Sequence, residues 1–246
     1  MTQFLSRRRA LIGLGAISAA LPLSACETLP LDPSILNGLG TLGALSQADA
    51  AGGIRAALNN GIGNAIANCG VKDGFLGNSL IRIPLPGALR DVQSVLAPIG
   101  AGGLLTELET QLNRGAEQAV PVARDIFVDT VSNLSITDAI NLVQGGGTTA
   151  TDFLQTQTTP RLTSLFSPIM ESALGNTGAL QLVSQLDQTM RNLPFVTPLS
   201  NAKGSLIEHG VGKGLDGMFH FIGEEEKAIR ANPAKRTSEI LRRVFS

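Results

Sequence analysis

From Ser46 onward the apolar residues of this chain return at every third or fourth position and form no strong alternating run, which confines the fold to helices. Ile54, Leu58, Ile62, Ala65, Ile66 and Cys69 make one such stripe, and that spacing puts them on a single buried helix face. Gly70 suits its stop. A second stripe runs through Leu104, Leu105, Leu108, Leu112, Ala116, Ala119 and Val120 and resumes beyond Pro121 at Ile126, Phe127, Thr130 and Val131. A long helix kinked or broken at that proline is expected. "SITD" at 135–138 has the form of a capping box, with Ser135 capping and Asp138 reaching back, and Gly145 to Gly147 end that helix. Further helices are expected from Pro86, carrying Leu89, Val92, Val95 and Leu96, and over 148–157, 160–174 and 178–191. A penultimate helix should close at Asn232-Pro233, before a final one over 234–245. The expected fold is all-α, an irregular bundle of about eight helices forming one domain over 44–246.

The 246 residues include no Trp, no Tyr and only nine Phe. The core is therefore aliphatic, and binding modes that need aromatic faces, such as a sugar platform or a quaternary ammonium cage, are disfavoured. Glycine is abundant instead, at 28 residues. Inside a helix each costs about 1 kcal/mol against alanine, so Gly52, Gly53, Gly61 and Gly63 require an offset, most simply close helix contacts.

At the front, Arg7, Arg8 and Arg9 precede "ALIGLGAISAALPL", a basic cluster and apolar run with the form of a secretory signal peptide over residues 1–25. The run is too short for a membrane span, which needs about 20 apolar residues. Leu23-Ser24-Ala25-Cys26 resembles the lipobox of bacterial lipoproteins, in which the cysteine is acylated and becomes the mature N-terminus. Cys26 is thus the expected lipid attachment point, each buried methylene contributing roughly 0.8 kcal/mol. "SRRRALIGL" is also similar to a twin-arginine signal, with Ala10 where phenylalanine is common, and general secretion signals share such a basic start. Residues 26–43, rich in Pro and Gly, read as the lipidated N-terminus and a tether. The expected location is the periplasmic side of the cell envelope, with Glu27 favouring the outer membrane. Loss of residues 1–25 leaves 16 basic against 20 acidic residues, which argues against nucleic acid as a partner. With Cys26 acylated, Cys69 is the remaining thiol, expected to be buried and inert.

The tail "LDGMFHFIGEEEKAIRANPAKRTSEILRRVF", residues 215–245, resembles the closing segment of a bacterial family, the domain of unknown function 4197. "DGFLGN" at 73–78, "IPLP" at 83–86, "NRGAE" at 113–117 and "TDAINLVQGG" at 137–146 agree with it. Gly115 stands where that family usually has alanine, "ATDFL" at 150–154 lacks its tyrosine, and Gly210, Gly212 and Gly214 make the region before the tail richer in glycine. The resemblance implies a fold and a compartment, and no activity.

Side chains able to carry chemistry gather in two segments. Asn113, Arg114 and Glu117 lie in "NRGAE", and Asp216, Glu225, Glu226, Arg230, Asn232 and Arg236 lie in the tail. Glu225 and Glu226 interrupt an apolar stripe of Leu215, Met218, Phe219, Ile222 and Ile229, so at least one carboxylate is expected to be partly buried, where it needs a partner or a raised pKa. Arg230, four residues on, and Arg236, past the turn, suggest an ion-pair network locking the last two helices. The alternative is a general acid or base drawn from Glu117, Glu225 and Glu226. His209, Asp216, His220 and Glu224 share one helix side and are metal-ligand types, but Lys213 in the same stripe favours a solvated face. No cofactor or metal is expected. "QGGGTTATD" lacks the lysine of a phosphate loop, and no G-x-S-x-G motif or Cys and His pairing occurs. The reading is a non-catalytic envelope module that binds a protein partner or an apolar small molecule.

Overall fold

The computed structural model describes residues 46–87, 89–90, 102–175, 178, 180–181, 183–185, 188, 202–236 and 238–245. The expected signal peptide, Cys26, the tether, the side chains of Val92, Val95, Leu96 and Leu104, and most of the helix over 178–191 lie outside the described residues. Helix α1 (Gln47–Cys69) opens on a full capping box: the Ser46 hydroxyl accepts from the Asp49 amide at 3.0 Å, and the Asp49 carboxylate accepts from the Ser46 amide at 3.2 Å. The Ser46 hydroxyl, which donates to the Asp49 carboxylate at 2.9 Å, and then the Ser46 amide, more than the nearby Arg243, hold the Asp49 carboxyl below its usual range. The buried face of α1 is Ile54, Leu58, Ile62, Ala65 and Cys69. An irregular segment over 70–86 follows, and the chain turns helical again at Gly87, Leu89 and Arg90, where the helix expected from Pro86 begins; Leu85 and Leu89 are buried. The next helix described in full is α2 (Gly102–Ala119). The break expected at Pro121 is a single 3-10 turn, Val120–Ala123, before α3 (Arg124–Ser132). Ser135 caps α4 (Ile136–Gln144), and here Asp138 reaches back to the serine hydroxyl, 2.6 Å away.

Two expectations fail in α5 (Thr149–Gly175) and at the C-terminus. The stretches 148–157 and 160–174 form one helix that runs through Pro160 and Pro168. A proline inside a helix costs about 3 kcal/mol, but Leu154, Thr158, Leu162, Phe166, Met170 and Leu174 make an unbroken buried row across both. Both prolines face solvent, as do Thr156 and Ser164, whose carbonyls lose the amide partner. Helix α6 (Ala202–Ala231) closes where expected, but the final helix, α7 (Glu239–Val244), is shorter than 234–245. Arg236 folds back to donate to the Ile229 and Arg230 carbonyls at 3.1 and 3.0 Å, which makes the chain after Pro233 a 3-10 turn, Pro233–Lys235. Ser238 then caps α7. Among the described residues there are seven α-helices and no strand, and no helix is long and apolar enough to cross a membrane.

Helix α1 packs along α6 and also meets α4 and α7, while α5 packs on α2, α3 and α6 around a common aliphatic core. Phe127 and Phe219 meet edge to face, with ring centroids 5.8 Å apart. Three of the four α1 glycines sit against a neighbour. A Cβ on Gly61 would lie 3.2 Å from Ile222 Cγ2, one on Gly52 3.6 Å from Ile240, and one on Gly53 2.5 Å from Val244 Cγ2. Gly63 is the exception, with nothing within 4 Å, so internal packing does not explain it. Met170 lies between Gly115 and Gly210, 2.7 and 2.9 Å from where their Cβ atoms would stand. Its thioether fills the gap that the two glycines leave.

These contacts predict opposite signs for one substitution type. Gly53→Ala forces the stiff Val244 to move and should cost about 1–3 kcal/mol, with α7 loosened first. Gly63→Ala should stabilise by about 0.5–1 kcal/mol. Urea unfolding of the two variants, with amide exchange over 239–245, checks both.

Candidate functional site

The polar residues singled out in the sequence fall into two separate centres. In the first, "NRGAE" on α2 holds the segment that follows α1. The Asn113 side chain, fully buried, accepts from the Ile83 amide at 2.8 Å and donates to the Ile83 carbonyl at 2.8 Å, as a neighbouring strand would. One turn on, Glu117 is 5% exposed. Its Oε1 accepts from the amides of Phe75 and Leu76 at 3.1 and 3.2 Å, and its Oε2 takes the Arg114 guanidinium at 2.6 Å. Arg114 also bonds Asp73 at 2.7 Å, and the two carboxylates, Glu117 foremost, raise its pKa further above the ordinary arginine value. Asp73 takes a φ of 66°, a left-handed conformation that aspartate tolerates better than most residues. The next residue must be glycine, because a Cβ there would lie 2.5 Å from the Asn68 carbonyl. His209 closes this centre through its Nε2, 2.8 Å from the Pro84 carbonyl.

The second centre surrounds Glu226, 4% exposed. Its Oε2 accepts from the Thr151 amide at 2.8 Å and the Thr151 hydroxyl at 2.6 Å, and its Oε1 accepts from the Ala150 amide at 3.1 Å. The carboxylate thus caps the N-terminus of α5, where the helix dipole and unpaired amides favour an anion. Arg230, one turn further along α6, grips Oε1 through Nε at 3.0 Å and Nη2 at 2.7 Å. It also donates to the carbonyls of Leu142 and Val143, at 2.8 and 3.2 Å, at the C-terminus of α4. The guanidinium lies 5.3 Å from the Phe245 ring centroid. One ion pair therefore seals the facing ends of α4 and α5 across Gly145 to Gly147.

The remaining residues are placed differently from the expected network. Arg236 meets backbone carbonyls and, among the described residues, no carboxylate. Glu225 bonds Asn64 of α1 at 2.8 Å and lies 3.6 Å from Lys235. Asn232 shapes the turn by accepting from the Ala234 amide at 2.9 Å. Asp216 is exposed and paired with Lys213. Glu226 joins α6 chiefly to the α4–α5 junction, not the last two helices to each other, and shares no hydrogen-bond partner with Glu117. The metal-ligand stripe is divided as well, since His209 is turned to Pro84 and Glu224 is paired with Lys227, which lowers its carboxyl pKa. Among the described residues no three His, Cys, Asp or Glu side chains are grouped to hold a metal ion.

Thr151 and Asp73 were not among the residues singled out, although "DGFLGN" and "ATDFL" contain them. Cys69 is fully buried, and burial pushes its thiol up to about 12. At pH 8 it should react with Ellman's reagent about 1000-fold more slowly in the folded chain than in urea. The sign for stability follows. Above about 8.5 the unfolded thiol releases its proton while the folded one keeps it, so this group's contribution falls as pH rises from about 8.5 toward 12.

The comparison with protein families decides the kinship. A family model described as "Protein of unknown function (DUF4197)" matches residues 44–246. The chain belongs to this family. The matched span takes in both polar centres of the DUF4197 domain, and all seven helices. No curated protein and no solved structure matches the chain.

Proposed function

We propose that the chain is an exported lipoprotein, anchored at Cys26 to the periplasmic side of the envelope, whose DUF4197 domain is a non-catalytic binding module. The observation that carries this reading is the state of its buried carboxylates. Both oxygens of Glu117 and of Glu226 are occupied by amides, a hydroxyl or a guanidinium of the fold itself. A general acid or base must reach its substrate's proton, and these two face inward at helix ends.

A place for a ligand lies elsewhere. A groove of about 560 Å³ runs between α5 and α6 with Ile207, Val211 and Leu215 along its floor and Thr159, Thr163 and Ser167 along one wall. It suits an elongated apolar ligand or an amphipathic helix of a partner protein. Neither Glu117, Glu225 nor Glu226 lines this groove or the smaller cavities of about 280, 410 and 470 Å³, which disfavours an envelope enzyme built on those three.

The test has two arms. Mass analysis of the N-terminal peptide from the envelope fraction should show Cys26 acylated, and Cys26→Ser should release the chain from that fraction; an unmodified Cys26 sinks the anchor. Glu117→Gln, Glu225→Gln and Glu226→Gln together should lower stability, with cellular function falling only as far as the folded protein does. Lost function in a fully stable variant would favour the enzyme.

A further inference from the structure

Val128 of α3, one of the five large apolar side chains that stand exposed among the described residues, lines a groove of about 470 Å³ between α1 and α3. It is 44% exposed. Nearby, the turn at Gly70 sits against Pro121, and the residues that follow each, Val71 and Val122, are 50 and 45% exposed. Ile66 and Gly63 of α1 line the groove opposite Val128. Gly63 is the one α1 glycine whose missing side chain no neighbour within the chain explains. A bare helix backbone beside a projecting valine is shaped to receive a ridge, and exposed apolar surface of this kind marks interaction sites.

Charge indicates what the ridge belongs to. Arg124 lines the groove, and Asp125 follows it on the same exposed turn of α3. Asp129 of the same helix pairs with Arg161 at 2.7 Å, yet neither Arg124 nor Asp125 has a partner among the described residues. One surface thus offers both a ridge and a groove, and both a cation and an anion. Such self-complementarity is what a two-fold interface requires, because each contact is then made twice. A flat lipid surface fits less well: the groove is concave, and it lies at the far half of α1 from Ser46, where the chain enters the domain.

We propose that the α1–α3 face is a homodimer interface, with Val128 of each copy seated over Gly63 of the other and Arg124 facing the second copy's Asp125. The reading does not depend on the lipid anchor. Native mass spectrometry of the full mature chain, released from detergent micelles over about 1–100 µM, should show a dimer that grows with concentration. Val128→Glu should raise the dissociation constant by about 30-fold or more, because it buries an unpaired charge. Arg124→Glu and Asp125→Arg should each weaken the dimer, and the two together should restore it, which a merely structural effect of either would not do. Circular dichroism confirms that each variant is folded. A monomer throughout the range, a dimer indifferent to Val128→Glu, or a double swap no better than the single ones would overturn the proposal.

Discussion

Glu226→Gln is expected to lower the stability of the domain by about 3–5 kcal/mol, the range for breaking a buried ion pair from one side. For a domain of this size that corresponds to a fall of roughly 10 °C in melting temperature. The reason lies in the donors around the carboxylate. Five hydrogen bonds converge on it, two from backbone amides, one from the Thr151 hydroxyl and two from Arg230. Glutamine has the same shape, but its NH2 group must face one set of these donors, and no rotation removes the conflict. Arg230 would also lose its counter-charge while only 15% exposed. Replacing both Glu226 and Arg230 by apolar residues should cost less than the two single changes added together, since it leaves no unpaired charge behind. The α4 and α5 ends would still lack their caps, so the double variant should not reach the wild type. Urea unfolding of the four proteins in one cycle measures the coupling, and a coupling within about 0.5 kcal/mol of zero would show that the pair does not act as a unit.

The parts of this fold that sequence reasoning reached are those governed by local geometry. The α1 stripe, the serine caps at 46 and 135, and the break at Pro121 each depend on residues a few positions apart, where helix period and hydrogen-bond reach decide the outcome. Pro160 misled because the same local rule predicts a break, and only the continuous row from Leu154 to Leu174, together with the solvated side on which the proline lies, outweighs it. The two polar centres were legible as residue types and not as partners. Glu226 and Arg230 could be paired from their spacing of four, but Thr151 is 75 positions away from Glu226, and no pattern along the chain connects them. Asn113 and Glu117 did carry a signal: they lie beside Leu112 and Ala116 on a helix whose neighbouring face is wholly apolar. What they hold was not readable, because the segment at 73–86 offers them its backbone, and backbone amides leave no trace in a sequence.

That hidden backbone partner underlies the second large effect expected. Asn113→Ala removes one side chain and strands two main-chain groups, the amide and the carbonyl of Ile83, at a residue that is fully buried. An unsatisfied buried donor or acceptor costs about 1–3 kcal/mol, so the variant should lose roughly 3–5 kcal/mol, and amide exchange should rise first over 73–86. Aspartate would be no rescue. It still accepts from the Ile83 amide, but it turns a carboxylate oxygen on the carbonyls of Ile83 and Glu109, to which the Asn113 amide now donates at 2.8 Å each. Glutamine keeps both functions one methylene too far out, in a fully buried site, and should fail nearly as badly. By contrast, the bridge from Arg82 of that segment to Glu109 of α2, at 2.8 Å, should yield under 1 kcal/mol when Arg82 is replaced by glutamine. A ranking in which Asn113→Ala, Asn113→Asp and Asn113→Gln all fall well below Arg82→Gln would show that α2 holds the 73–86 segment through the exact pairing of one amide with one residue's main chain. If the Asn113 variants proved as stable as Arg82→Gln, the segment would have to be held by Glu117 and its own apolar residues, Phe75, Ile83 and Leu85, alone.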